Sequence, residues 1–205
     1  MELTFRPAKP TDADGAVPLV YSSAVEAFDY ILMQGDKTAL DFLRFAFLQG
    51  GGHFGYKNHV VVETQGRVVA TGAFNSGPEY KALNIGMGKQ LLRFYGPVAS
   101  LPVIKRSLIT KKIMPPMGKD MEYISNLGVA PDLRGRGVGG TLLNRQKEIA
   151  KNKNRCIYAL DVSVNNPRAQ KLYERLGLKV TRENHLNGFM GCLTVPDTRR
   201  MEMTL

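Results

Sequence analysis

Residues 133–140, LRGRGVGG, place four glycines and two arginines in eight positions, a composition suited to gripping an anion rather than filling a core. Glycine reaches positive φ and, having no Cβ, lets a phosphate approach the main chain closely. The segment runs into TLLNRQKEIA, which has helical spacing. The first N–H groups of a helix lack intrahelical partners and sit at the positive end of its dipole. A strand, a glycine turn and a helix in succession therefore predict a phosphate site. It would be built from Gly135, Gly137, Val138, Gly139, Gly140 and Thr141, with Arg134 or Arg136 adding charge-assisted hydrogen bonds.

Three phosphate motifs compete for this loop. A P-loop needs a lysine before its Ser or Thr, and here Thr141 follows Gly140 directly, which argues against a nucleoside-triphosphate site. Gly135, Gly137 and Gly140 match G-x-G-x-x-G, with Asp161 roughly where a ribose-binding acid belongs. A dinucleotide fingerprint, however, opens its domain, and this one lies two thirds of the way along the chain. The third motif is Arg-x-x-Gly-x-Gly, carried by Arg134, Gly137 and Gly139.

Other reactive residue types are sparse. His53, His59 and His185 lack metal-ligand spacing, and Cys156 and Cys192 make neither a disulfide framework nor a metal cluster. No metal is expected, and the three histidines read as ordinary surface or core residues. The formal charge is +10, and between Lys81 and Lys119 there are eight Lys or Arg and no acid. Such a stretch attracts a phosphorylated cofactor, an acidic substrate, nucleic acid or a membrane surface, or is simply a solvated face. An apolar fraction of 43% without a run approaching the roughly 18 residues of a membrane span excludes an integral membrane protein. The start, MELTFRPAKPTDADG, has no apolar signal-peptide core, so a cytoplasmic location is expected.

The elements that must position the loop can be read from periodicity. LTFRPA reads as a strand, DADGAVPLVYSSAVEAFDYIL as a helix interrupted at Pro18, and KTALDFLRFAFLQ as a helix stopped by Gly50. HVVVET and RVVATGAF, separated by Gln65 and Gly66, read as a hairpin. Residues 75–120 form a basic insertion, mostly helical. MEYISNLGV is a strand, a helix runs from about Gly137 to Lys151, and CIYALDVSV is a further strand. Asn166 caps a helix that has Pro167 at its first position and Gly177 as its stop, and LKVTREN and RRMEMTL supply two last strands. The order predicts a mixed α/β fold in one domain spanning residues 1–205.

The segment ISNLGVAPDLRGRGVGGTLL, followed at the right separation by LDVSVNNPRAQKLYERLGLKV, resembles the GNAT superfamily of acetyl-coenzyme A-dependent N-acetyltransferases. The resemblance covers residues 122–180 well, residues before Phe74 moderately, and 75–120 not at all. It implies a GNAT-like fold: a mixed, mostly antiparallel twisted sheet flanked by helices, with the insertion between the third and fourth strands. It further implies acetyl-CoA as co-substrate, its pyrophosphate on the glycine loop and its pantetheine arm against the main chain of Leu127, Gly128 and Val129 and the amide of Asn166. The fourth and fifth strands would splay to admit the thioester, and transfer would be direct, without an acetyl-enzyme.

Tyr173 matches the tyrosine of the family's LYE segment, which donates a proton to the leaving thiolate. The same residue also belongs to an apolar stripe with Ala169, Leu172 and Leu176, as a core tyrosine would. The base is left open. The family's glutamate position falls on Tyr123, with Glu122 beside it on the opposite strand face, and Glu122, Ser125 and Asp161 are the candidates. A lysine-like acceptor amine costs roughly 4.6 kcal/mol to deprotonate at pH 7, an α-amine about 1. The acceptor is expected to be a small-molecule or peptide amine, with an acidic one favoured by the basic insertion. A homodimer is compatible with the sequence. The contrasting reading is a non-catalytic acyl-CoA sensor, or a protein docking on nucleic acid through the basic segment; Phe94, Tyr95 and Tyr80 are few aromatics for base stacking.

Overall fold

The β-branched and alternating runs of the sequence enter one seven-stranded sheet of order β1-β2-β3-β4-β5-β7-β6 in the computed structural model, which describes residues 1–111, 113, 117–186 and 195–205. The strands are β1 (Thr4–Pro7), β2 (His59–Thr64), β3 (Arg67–Ser76), β4 (Met121–Val129), β5 (Ile157–Ser163), β6 (Lys179–Asn184) and β7 (Thr198–Thr204). Every neighbouring pair is antiparallel except β4 and β5. Parallel neighbours need a long crossover, and α6 (Val138–Asn152) supplies it. The β2–β3 turn is as expected, with Gln65 and Gly66 both at positive φ, 50° and 74°, the requirement of a two-residue hairpin.

Helices cover both faces of the sheet. Val61 packs with α1 (Ala13–Ser22), α2 (Val25–Leu32) and α3 (Ala39–Gln49), whereas its neighbour Val62 packs with Val138 and Leu142 of α6; successive strand residues point to opposite faces. Leu143, Leu160 and Met201 form a further cluster with Tyr173 of α7 (Pro167–Arg175). Thr38 caps α3 reciprocally with Asp41, and Gly50 ends it in the left-handed region.

The first helical region breaks at Ser23 and Ala24, not at Pro18, which lies inside α1. A proline in the second turn forfeits the bond to the carbonyl four residues back, that of Asp14. Asp14 and Pro18 are both exposed, so water can satisfy that carbonyl.

The insertion begins later than expected. Asn75 and Ser76 belong to β3, paired with Tyr123 and Glu122; two polar residues read as loop because cross-strand pairing is invisible in a single segment. From Gly77 the chain leaves the sheet and forms α4 (Tyr80–Tyr95) and α5 (Ser100–Thr110), helical as the spacing indicates. A Cβ on Gly77 would lie 2.0 Å from the Gly118 carbonyl oxygen, so the insertion departs and returns at one point. Its apolar side, Leu91, Tyr95 and Val103, joins the α1–α3 core. Arg106 fastens it by donating to the carbonyls of Ile31 (3.2 Å) and Met33 (2.7 Å).

Candidate active site

β4 and β5 are paired only from Met121↔Ile157 to Ile124↔Leu160. Beyond Ile124 the two strands part, and the cause lies in β4. The β3–β4 register shifts between Thr71 and Ala73, which face Gly128 and Ser125, so β4 carries one extra residue there. Asn126 sits at φ 54°, a left-handed conformation that asparagine tolerates better than most residues. Such a bulge bends its strand and here opens the gap. The Asn126 amide donates to the His53 carbonyl at 3.3 Å and lies 3.3 Å from His59 Nε2. His59 is buried, and its Nδ1 lies 3.0 Å from the Gly55 carbonyl. Burial lowers its pKa to about 4, so the ring is neutral, donating through Nδ1–H and accepting from Asn126 at Nε2.

On one side of the gap lies the glycine loop. Gly135 and Gly137 have φ of 79° and 85°, where a side chain is strained, and Gly137 is the N-cap of α6. No side chain caps this helix and no acid lies in its first turn, which leaves the N–H groups of Val138, Gly139 and Gly140 open toward an anion. Thr141 closes the first turn, its N–H donating to the Gly137 carbonyl at 2.9 Å. Arg134 Nε donates to the Val129 carbonyl at 3.0 Å, and Arg136 is exposed. Gly128 is needed for packing, since a Cβ there would lie 2.1 Å from the Leu19 carbonyl oxygen. Asn166 Oδ1 accepts from Ala169 N at 3.1 Å, the cap expected from the sequence.

On the other side is a cavity of about 450 Å³ between α2, α4, α5 and the parted strands. Tyr173, Tyr123, Ser125 and Asp161 reach it; Glu122 and the glycine-loop residues do not line it. Tyr173 is 8% exposed, its hydroxyl makes no hydrogen bond among the described residues, and burial pushes its pKa up to about 12. Asp161 accepts from both Nε (3.0 Å) and Nη2 (2.9 Å) of buried Arg200, from the Tyr123 hydroxyl (2.8 Å) and from Asn184 (3.1 Å), so its charge is already committed. Glu122 alternates to the face carrying Ile124 and α6. There it is buried, its pKa raised by desolvation despite Lys153 and Arg155, with Arg155 Nε 3.6 Å away. Glu122, one of the candidate bases, thus lies apart from the cavity lining.

His53, read from sequence as an ordinary residue, lines this cavity. Its loop lies against α4 because glycines let two backbones meet: a Cβ on Gly86 would be 2.8 Å from Gly52 N, and one on Gly52 would be 3.1 Å from Met87 N. The GGGHFG run and the GMG of α4 were the signal for this approach. The insertion's charges face outward. Lys81, Lys89, Arg93, Lys105 and Lys119 are exposed, and among the described charged residues of the insertion Lys111 alone lines the cavity. Cys156 is an exposed free thiol, while Cys192 lies outside the described residues. No group of three or more His, Cys, Asp or Glu among the described residues could hold a metal ion. No described helix is long and apolar enough to cross a membrane.

A parted parallel strand pair, with an uncapped glycine-led helix on one side and a cavity on the other, combines an anion-binding helix tip with an apolar chamber. The model of the acetyltransferase (GNAT) family matches residues 26–178, and the chain belongs to that family. An uncharacterized N-acetyltransferase of Methanocaldococcus jannaschii is 41% identical over 61 residues, 30% of this chain. The matched stretch spans 27% of that relative's length, well under two thirds of it. Among solved structures, an N-acetyltransferase from Staphylococcus aureus Mu50 superposes with a TM-score of 0.71 at 20% identity, covering 98% of this chain and 100% of that one. The ribosomal-protein-S18-alanine N-acetyltransferase from Escherichia coli superposes with a TM-score of 0.57 at 15% identity, covering 99% and 94%. At these identities the likeness is one of fold.

Proposed function

We propose that this chain is an acetyl-CoA-dependent N-acetyltransferase that moves the acetyl group directly to a primary amine of a small molecule or peptide. The observation that carries the reading is the uncapped tip of α6 beside the gap between β4 and β5, with Tyr173 packed on the same face as α6 and reaching the cavity at that gap. Acetyl-CoA, when bound, supplies an acyl group activated as a thioester. The residues present suit it: the open N–H groups of Val138, Gly139 and Gly140 and the guanidinium groups of Arg134 and Arg136 would hold the diphosphate. The parted main chain at Leu127 and Val129, with the Asn166 amide, would receive the pantetheine arm.

Tyr173 serves the leaving sulfur. A tyrosine at about pKa 12 facing a thiol near 8.5 makes complete proton transfer uphill by about 5 kcal/mol. Its hydroxyl therefore acts by donating a hydrogen bond to developing thiolate charge in a water-poor site. The absence of another described partner leaves that hydroxyl available for the task.

The test combines two measurements. Acetyl-CoA is expected to raise the melting temperature of the protein, and a free-thiol assay over amines, amino acids and peptides is expected to show acceptor-dependent release. Thermal stabilisation without thiol release from any acceptor would make the chain an acyl-CoA sensor instead.

A further inference from the structure

We propose that His53 is the general base of the acceptor site, and that the acceptor is a primary amine on an apolar body with no second positive charge. This rests on the acetyltransferase reading above and deepens it. The geometry fixes the proton on the imidazole. Asn84 Nδ2 donates to the Tyr80 carbonyl at 2.8 Å and Asn84 Oδ1 accepts from Lys111 Nζ at 3.0 Å, so the amide orientation is determined from both ends. The oxygen therefore faces His53 Nε2, 3.4 Å away, and can only accept from it. Nε2 carries the hydrogen, and Nδ1 keeps its lone pair, with no hydrogen-bond partner among the described residues. The backbone of His53 is tied to the bulge of β4 through Asn126, which places the residue at the mouth of the strand gap.

The other candidate bases are spoken for. Asp161 is saturated by Arg200, Tyr123 and Asn184, Glu122 is on the wrong face, and Ser125 brings to the cavity only a hydroxyl, too weak a base to take a proton from an ammonium at neutral pH. The ionisable and charged groups that reach His53 or share its cavity are Tyr80 of α4, Lys111 following α5, Tyr123 of β4, Asp161 of β5 and Tyr173 of α7, with Arg200 behind Asp161. Burial and Lys111 both depress the His53 pKa below its usual value, against the raising effect of Asn84, so the neutral base predominates at pH 7.

The same inventory selects the acceptor. Ala27, Phe28, Ile31, Met87, Leu91 and Ile104 make the body of the cavity apolar. The one acid of its described lining is neutralised, and Lys111 stands on its polar wall, so a second ammonium would meet a like charge and no free counter-ion among the described residues. In the reaction the acceptor ammonium gives one proton to Nδ1, which later releases it to solvent. The C–N bond forms as the C–S bond breaks, and the second N–H proton ends on sulfur, to which Tyr173 donates its hydrogen bond.

Three readouts test this. With acetyl-CoA present, thiol release from isopentylamine is expected to exceed that from spermidine by about 10-fold or more in kcat/KM; equal or faster release with spermidine overturns the acceptor class and leaves the acetyltransferase reading intact. His53→Gln is expected to lower kcat/KM by roughly 10²-fold and to remove the acid limb of its pH profile, while the acetyl-CoA thermal shift persists. Added imidazole is expected to restore turnover to His53→Ala. An unchanged acid limb, or no rescue, overturns the base. In the wild-type protein ¹⁵N NMR of the imidazole rings, assigned with the variant, is expected to show His53 as the Nε2–H tautomer titrating below 6.5; an Nδ1–H tautomer sinks the assignment without any assay of turnover. Loss of both the thermal shift and all thiol release would instead sink the underlying acetyltransferase reading.

Discussion

The two sides of the strand gap are built on different principles. The α6 side presents main-chain N–H groups, and the residues that expose them, Gly135 and Gly137, are chosen for backbone conformation. The α2–α4–α5 side presents side chains, drawn from positions as far apart as His53, Lys111 and Tyr173. A backbone-built site is written in a short contiguous string and tolerates little change. A side-chain-built site is written across the whole chain and can be altered one residue at a time. Substitutions on the two sides should therefore fail differently.

The largest effect is expected from Gly137→Glu, which forces a side chain into φ 85° and places a carboxylate at the positive end of α6. The acetyl-CoA-induced rise in melting temperature is expected to vanish, as differential scanning fluorimetry would show; an equal shift in the variant would remove the loop from the binding site. Next is the support between the two sides. Asp161→Asn leaves buried Arg200 (3% exposed) with an amide in place of its nearest carboxylate and Glu202 Oε1 still 3.7 Å away, a loss of about 3 kcal/mol, the low end for a broken buried ion pair, measurable in urea unfolding.

A similar but pH-limited loss is expected from His59, which holds Asn126 at the bulge. Its folded pKa, about 4, lies below the unfolded value near 6.5, so the unfolded chain binds the extra proton between these values. Stability is then full above pH 6.5 and declines as pH falls toward 4, by about 3 kcal/mol in all. Urea midpoints taken across this interval should slope for the wild type and flatten for His59→Gln. The smallest of the four is Tyr173→Phe. It deletes a hydroxyl that no described residue holds, so melting should hardly change while kcat drops roughly 10²-fold at unaltered acetyl-CoA affinity. Normal turnover in that variant would reduce Tyr173 to packing.

The same division explains what could be read from the sequence. The glycine loop, the Asn166 cap, the hairpin at Gln65 and Gly66 and the bounds of β4 are local, each set by residues within a few positions, and each was legible. The break after α1 was misplaced because Pro18 is a visible breaker whose penalty solvent removes. Glu122 was kept among the candidate bases although strand alternation already put it on the opposite face from Tyr123; its burial beside Arg155 comes from packing that a single segment does not show. His53 was passed over for the converse reason: its tautomer, its open Nδ1 and its cavity depend on Asn84, Tyr80 and Lys111, which only the docking of the insertion brings near. Lys111 likewise illustrates how a run of cations conveys total charge and says little about direction, since most of that charge points to solvent.

The meeting of Gly77 with Gly118 carries a last consequence. An excursion that leaves and rejoins a sheet at a single spot can be lengthened, trimmed or exchanged without re-registering any strand. On the acetyltransferase reading proposed above, the tip of α6 would stay put while the α4–α5 wall of the cavity is rebuilt, so transplanting residues 77–118 between related chains is expected to change which amine is acylated.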